Sequence, residues 1–260
     1  MAAILALIGA ASFVLADAPP GAPAPLPPGF ASEHSEEDEA DYRPLPDQKG
    51  IFAHGFIDDW RLPLDGETPC LGTAEEQAAV LAKLRAEGRS QFWFYATRSQ
   101  AILFTRTITI EGDKPCRAAM RPRYDVERAF LVDGRIHSFS VDDRGRMEPL
   151  ASLPDDRIAA PYSGSFGDIQ SLFARNPQVP GRRRETDTIA GTAVVCGGSS
   201  GLVWYRNCVV QTGSAKGMML SERSGDDEGN DFAGEVRELR VGTVLPGKLF
   251  EVERRWRGAE

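Results

Sequence analysis

The chain has 260 residues and a formal net charge of −8, from 30 Lys and Arg against 38 Asp and Glu. That balance excludes a phosphate-backbone binder, which needs its cations concentrated on one face; the densest basic cluster, Arg182-Arg183-Arg184, reads as a solvated loop between two elements. The length suffices for a full hydrophobic core, and the four cysteines, Cys70, Cys116, Cys196 and Cys208, form an even set without CxxC spacing, so they read as two disulfides and not as metal ligands or redox thiols.

Met1 to Ala16 is an uncharged apolar run, too short to span a bilayer, with small residues at Val14 and Ala16 where a signal peptidase inspects the chain. It is predicted to be a signal peptide cleaved before Asp17, with only the α-amino group supplying the positive start. The mature chain is then periplasmic or secreted, with no transmembrane segment. Residues 17–48 combine a Pro/Ala stretch with the acidic run Ser32 to Glu39 and cannot bury enough apolar surface to fold, which predicts a mobile leader. A single domain is expected over 49–257.

Order is predicted to begin near Ile51, where Ile51, Phe52, Phe56, Ile57 and Trp60 bring the first dense apolar content. Thr73 and Glu76 have capping-box spacing, apolar residues recur at helical intervals to Leu84, and Gly88 is placed to end a helix. Phe92 to Tyr95 reads as an aromatic strand. Ala101 to Ile110 alternates, with Ile102, Phe104, Ile108 and Ile110 on one face and threonines on the other, predicting a half-buried strand. Arg128 to Asp133 and Arg135 to Val141 meet at Asp133-Gly134, the dipeptide that a tight hairpin turn requires, and Asp142 to Gly145 marks another reversal before Arg146 to Leu150. A second helix is predicted over Phe166 to Arg175, with Ser165 and Asp168 as a capping pair. Strands follow at Thr186 to Cys196, Leu202 to Gln211, Gly217 to Arg223, Glu235 to Val244 and Lys248 to Val252.

Helix, strands, helix, strands, without strand–helix–strand alternation, predicts an α+β fold: one antiparallel sheet of about eight strands covered on its apolar face by two helices. Cys196 and Cys208 flank a Gly/Ser loop between two apolar runs and can face each other across a hairpin, which leaves Cys70 with Cys116 by elimination.

The order of elements over 73–253, together with Thr188 to Cys196, Val203-Trp204-Tyr205, Cys208 to Gly213, Met218 to Leu220 and Leu245 to Val252, resembles the periplasmic lipoprotein-carrier superfamily. The resemblance implies a curved, half-open antiparallel barrel capped by helices that would bind acyl chains inside the half-barrel. It transfers to the fold and to no residue's role. Ala16 is followed by Asp17 and there is no lipobox, so the chain itself is not expected to be lipidated.

Candidate chemistry is sparse. Gly197 to Gly201 matches the G-x-S-x-G elbow of serine hydrolases, but the following residues read as a strand and His34, His54 and His137 all precede Ser199, against the hydrolase chain order. His137 shares a strand face with Phe139 and Val141, and His54 precedes Asp58 and Asp59 at a spacing that permits a metal or acid–base pair with no third ligand fixed. No catalytic residue, metal or cofactor is assigned. Phe92, Phe94, Phe104, Phe139, Trp204 and Met218 come from several strands, and on a curved sheet they line a ligand groove or fill a core, the filled core being favoured. The sequence thus predicts an exported, non-enzymatic protein that binds an apolar or lipid-like ligand in a half-barrel groove. The alternative is an envelope structural or regulatory module that binds protein, and a hydrolase comes third.

Overall fold

The structure is a computed structural model that describes residues 23–27, 45–59, 73, 75, 90–111, 119–141, 146–150, 166, 169–173, 178–179, 181, 183–226 and 232–251. Its strands are β1 (Gln48–Asp59), β2 (Ser90–Ala96), β3 (Gln100–Glu111), β4 (Ala119–Val132), β5 (Arg135–Val141), β6 (Met147–Pro149), β7 (Arg183–Ile189), β8 (Thr192–Ser199), β9 (Val203–Val210), β10 (Met219–Asp226) and β11 (Phe232–Leu245). They form one open antiparallel sheet in the order β6-β5-β4-β3-β2-β1-β11-β10-β9-β8-β7. Every neighbour is also a neighbour in sequence except β1 and β11, so two meanders are joined through the first and last strands, with Gln48 opposite Leu245 and Asp59 opposite Phe232.

The α+β prediction is therefore corrected. Among the described residues the helical elements are one short segment, α1 (Ile169–Phe173), and a 3₁₀ turn at Gly247–Glu251, against eleven strands. The helix expected from Thr73 to Gly88 lies outside the described residues apart from Thr73 and Glu75, as do Ser165 and Asp168, the expected caps of the second helix. Carboxylates from the sheet hold that segment: Glu222 Oε2 accepts from the Phe166 N–H at 2.8 Å and Glu127 Oε2 from the Ile169 N–H at 3.3 Å. The predicted strand Lys248 to Val252 is replaced by the 3₁₀ turn, in which the Leu249 N–H bonds the Pro246 carbonyl and Asp47 Oδ1 accepts from the Gly247 N–H at 3.0 Å. Thr186 to Cys196, read as one strand, is two, folded back at Ala190-Gly191, where both residues have positive φ. Arg183 and Arg184 begin β7 and do not lie in a loop.

The sheet is also buried on both faces, not on the one face expected. Ile51, Ala53, Phe92, Phe94, Ala101, Leu103, Cys196, Cys208, Met218 and Leu220 join Phe166, Ile169, Leu172 and Phe173 in one cluster. The alternating residues, Phe52, Trp93, Tyr95, Ile102, Phe104 and Val126, join Leu245, Leu249 and Phe250 in a second. Successive residues of a strand point to opposite faces, so β2 and the first half of β3 read as continuous apolar runs because each supplies both clusters.

The Asp133-Gly134 turn forms as predicted, with φ of 50° and 77° joining β4 to β5. Cys196 and Cys208 are direct cross-strand partners and are disulfide-bonded. This is the one disulfide among the described residues; Cys70 and Cys116 lie outside them. Part of the leader expected to be mobile is seated on the sheet: Ala24 is buried, its N–H bonds the Val244 carbonyl at 2.9 Å, and Pro23 forms a parallel bridge with Val244. Nearer β1, the Leu45 N–H donates to Glu251 Oε1 at 2.5 Å.

Candidate binding cleft

The residues proposed from sequence as a ligand site do not converge. Phe92, Phe94 and Met218 are fully buried in the first cluster, and Phe104 is buried in the second, on the opposite face. Phe139 is half-buried and packs edge-on against Phe130 at 6.0 Å. Trp204 lies on β9 with 36% of its surface exposed.

Concave space is found instead at one end of the first-cluster face, in a cleft of about 490 Å³ built from segments distant in sequence. β1 contributes Lys49, Gly50 and Ile51, and Ala96 ends β2. Thr97 and Arg98 come from the β2–β3 turn, which Thr97 Oγ1 organises by accepting from the Ser99 and Gln100 N–H groups at 3.3 and 3.2 Å. The end of the β4–β5 hairpin supplies Leu131 and its cross-strand partner Ile136, tied to that turn by a bond from the Leu131 N–H to the Ser99 carbonyl at 2.8 Å. Phe173 of α1 closes the inner wall. Val241 and Gly242 complete the rim at a β-bulge, where Ile51 faces Val241, Gly50 faces Thr243, and the extra residue Gly242 takes φ of 72°.

The cleft combines an apolar wall with two cations. Leu131 and Val241 are 42% and 48% exposed. Lys49 and Arg98 are exposed at the rim, and among the described residues no carboxylate lines the cleft. Among the described residues its hydroxyls are those of Thr97 and Ser214. The arrangement suits recognition of an anionic group attached to apolar surface. Sequence reasoning, which followed aromatic residues, missed it; the cations flanking Gly50 and ending the Ala96-Thr97-Arg98 run were the available signal.

The remaining candidates stay apart. Ser199 sits at the tip of the β8–β9 hairpin opposite Tyr205, in strand–turn–strand context, so the elbow reading is not supported. His137 is exposed on β5 opposite Phe130. His54 stacks on Trp93 with ring centroids 5.0 Å apart and lies opposite Glu238 on β11. Burial holds its pKa below the ordinary value, opposed by the Glu238 charge and a hydrogen bond with Gln91. The side chains of Asp58 and Asp59 lie outside the described residues, and no cluster of three or more metal-ligating side chains occurs among those described.

The described residues form an open antiparallel sheet with a core on each face and a cleft at one end. No protein family matches the chain, and no curated protein does. Among solved structures it is similar to MucB in complex with MucA(peri), at 10% identity over 75% of this chain and 51% of that one, with a TM-score of 0.28. The chain thus spans about half the length of that structure.

Proposed function

We propose that this chain is an exported, non-enzymatic binding module that takes an extended segment of an envelope protein in the Leu131–Val241 cleft, an acidic group of the partner meeting Lys49 and Arg98. The observation that supports the reading is the rim: Leu131 and Val241, 42% and 48% exposed, stand beside the exposed cations Lys49 and Arg98, a pairing of apolar surface and charge that a protein segment with an acidic group can cover. Export is supported by the signal-like Met1 to Ala16 and by the Cys196–Cys208 disulfide, a bond typical of oxidising compartments. A lipid-like ligand in the interior is disfavoured because Phe92, Phe94 and Met218 fill the space it would need.

A photo-crosslinking side chain placed at Leu131 or Val241 in the exported protein is expected to capture one protein specifically, and Lys49→Glu with Arg98→Glu to reduce capture at least ten-fold. Saturable binding of a fluorescent fatty acid that is lost in Leu131→Asp, with no protein captured, would overturn the reading in favour of a carrier.

A further inference from the structure

The segment Pro23–Pro27, from the stretch Gly-Ala-Pro-Ala-Pro-Leu-Pro-Pro, lies on the face opposite the cleft, against the second cluster. Ala24 and Pro27, three residues apart, are buried, Pro23 and Pro25 are exposed, and Leu26 is partly covered. Three residues per turn is the repeat of polyproline II, a conformation without internal hydrogen bonds whose carbonyls are free to accept from a receptor. They do so here. The Tyr95 hydroxyl donates to the Pro25 carbonyl at 2.6 Å and Arg240 Nη1 to the Pro23 carbonyl at 3.4 Å. Below the segment lies the cluster that includes Tyr95, Leu245, Leu249 and Phe250, and β10 pairs with β11 only through Phe232–Glu235, leaving Val244 to pair with Pro23. An aromatic floor, with a phenol donor and a cation directed at two carbonyls of the segment, is the means by which proline-rich peptides are held in aromatic grooves.

We infer that this face is a receptor groove for proline-rich segments carrying a small residue and a proline three apart, occupied in cis by the chain's own Pro23–Pro27. The groove recognises backbone carbonyls and small apolar side chains, so a second protein with such a stretch docks by displacing the strap. Tethering gives the resident segment an effective concentration on the order of millimolar, which masks the groove from weaker ligands. Burial and the Glu238 charge both raise the Tyr95 phenol above its ordinary pKa, so the donor is retained throughout the physiological pH range. The groove is independent of the cleft, and the failure of one leaves the other standing.

The test uses the full chain and a fluorophore-labelled peptide of the sequence Gly-Ala-Pro-Ala-Pro-Leu-Pro-Pro. Ala24→Asp places a charge where the strap is buried and is expected to free the groove, so that anisotropy shows the peptide binding at least ten-fold more tightly than to wild type. Adding Tyr95→Phe is expected to weaken that binding several-fold. Equal, negligible binding to wild type and Ala24→Asp, or indifference to Tyr95→Phe, would overturn the inference. Hydrogen exchange on the unmodified protein gives a second reading that needs no variant. The Ala24 amide is expected to be protected and to lose protection in excess unlabelled peptide; free exchange from the outset, or protection that the peptide leaves unchanged, also overturns it.

Discussion

Ala190 holds φ of 48° at the first position of the β7–β8 turn, a conformation that brings the Cβ of an L-residue against its own carbonyl and costs about 1–2 kcal/mol. Gly191 after it takes φ of 71° without that cost, so the strain is confined to one methyl group. Ala190→Gly relieves it but enlarges the freedom of the unfolded chain. The net expectation is a gain of about 0.5–1 kcal/mol, read as a rise of a few degrees in thermal melts; an unchanged or lower melting temperature would show that the turn is not strained. Glu222 presents a different conflict. Burial raises its carboxyl pKa while the hydrogen bond from Phe166 opposes the shift. A raised native pKa means that the folded state holds a proton the unfolded state has released, so this group's contribution to stability is fully present below pH 4.5 and is lost as pH rises through the native value. Glu222→Gln keeps an acceptor for the Phe166 N–H and removes the charge. It is expected to flatten the stability profile above pH 4.5 and to melt higher than wild type at neutral pH; superimposable profiles would contradict the assignment.

At the scale of elements, the cover over the first cluster depends on a glycine floor. A Cβ at Gly234 would collide with the Phe166 ring, which packs edge-on against Phe92 with centroids 5.6 Å apart. Gly234→Ala is expected to cost about 1–3 kcal/mol through overpacking and Phe166→Ala about 3–5 kcal/mol through the lost ring. The double variant is expected to cost less than the sum by more than about 0.5 kcal/mol, because removing the ring makes room for the methyl group. Strict additivity in urea melts would show that Phe166 does not rest on β11. The same scale decides what the sequence made legible. The β4–β5 hairpin was readable because Asp133-Gly134 favours the backbone it adopts, and the Cys196–Cys208 bond because both cysteines flank a short loop. The β7–β8 turn was not, since Ala190 disfavours its own conformation and only the partner strand compensates. The seated strap was missed because its anchors, Tyr95, Arg240 and Val244, are far away in the chain, and composition describes only what a segment can bury by itself. The cleft was illegible for a similar reason, as Lys49, Arg98, Leu131 and Val241 meet only through strand order.

An open sheet has two edges, and at the scale of the molecule each is protected in its own way. β6 is three residues long, exposed and ends in Pro149, which has no N–H to offer a neighbour. β7 is longer and carries Glu185 and Asp187, both bound by Arg206 of β9 at 2.7 and 2.9 Å, an arrangement that also holds the Asp187 carboxyl below the usual range. Replacing Glu185 and Asp187 together with Val is expected to leave the fold intact and to make the protein self-associate with rising concentration in light scattering; a monomer at all concentrations would show that these charges do not guard the edge.

The joining of β1 to β11 at the middle of the sheet also governs the order in which the molecule can be completed. β2 to β6 and β7 to β10 can each fold back locally as they appear, but β1 lacks one neighbour until β11 arrives, and pairing of such sequence separation is slow. In pulsed hydrogen exchange, the β1 amides that bond β11 are expected to gain protection together with the β11 amides that bond β1, after the β4–β5 and β8–β9 hairpins. For a polypeptide delivered N-terminus first, whether from a ribosome or through a membrane channel, the consequence is one of timing: β1 emerges before every other described strand yet waits for β11, the last of them, to complete its pairing.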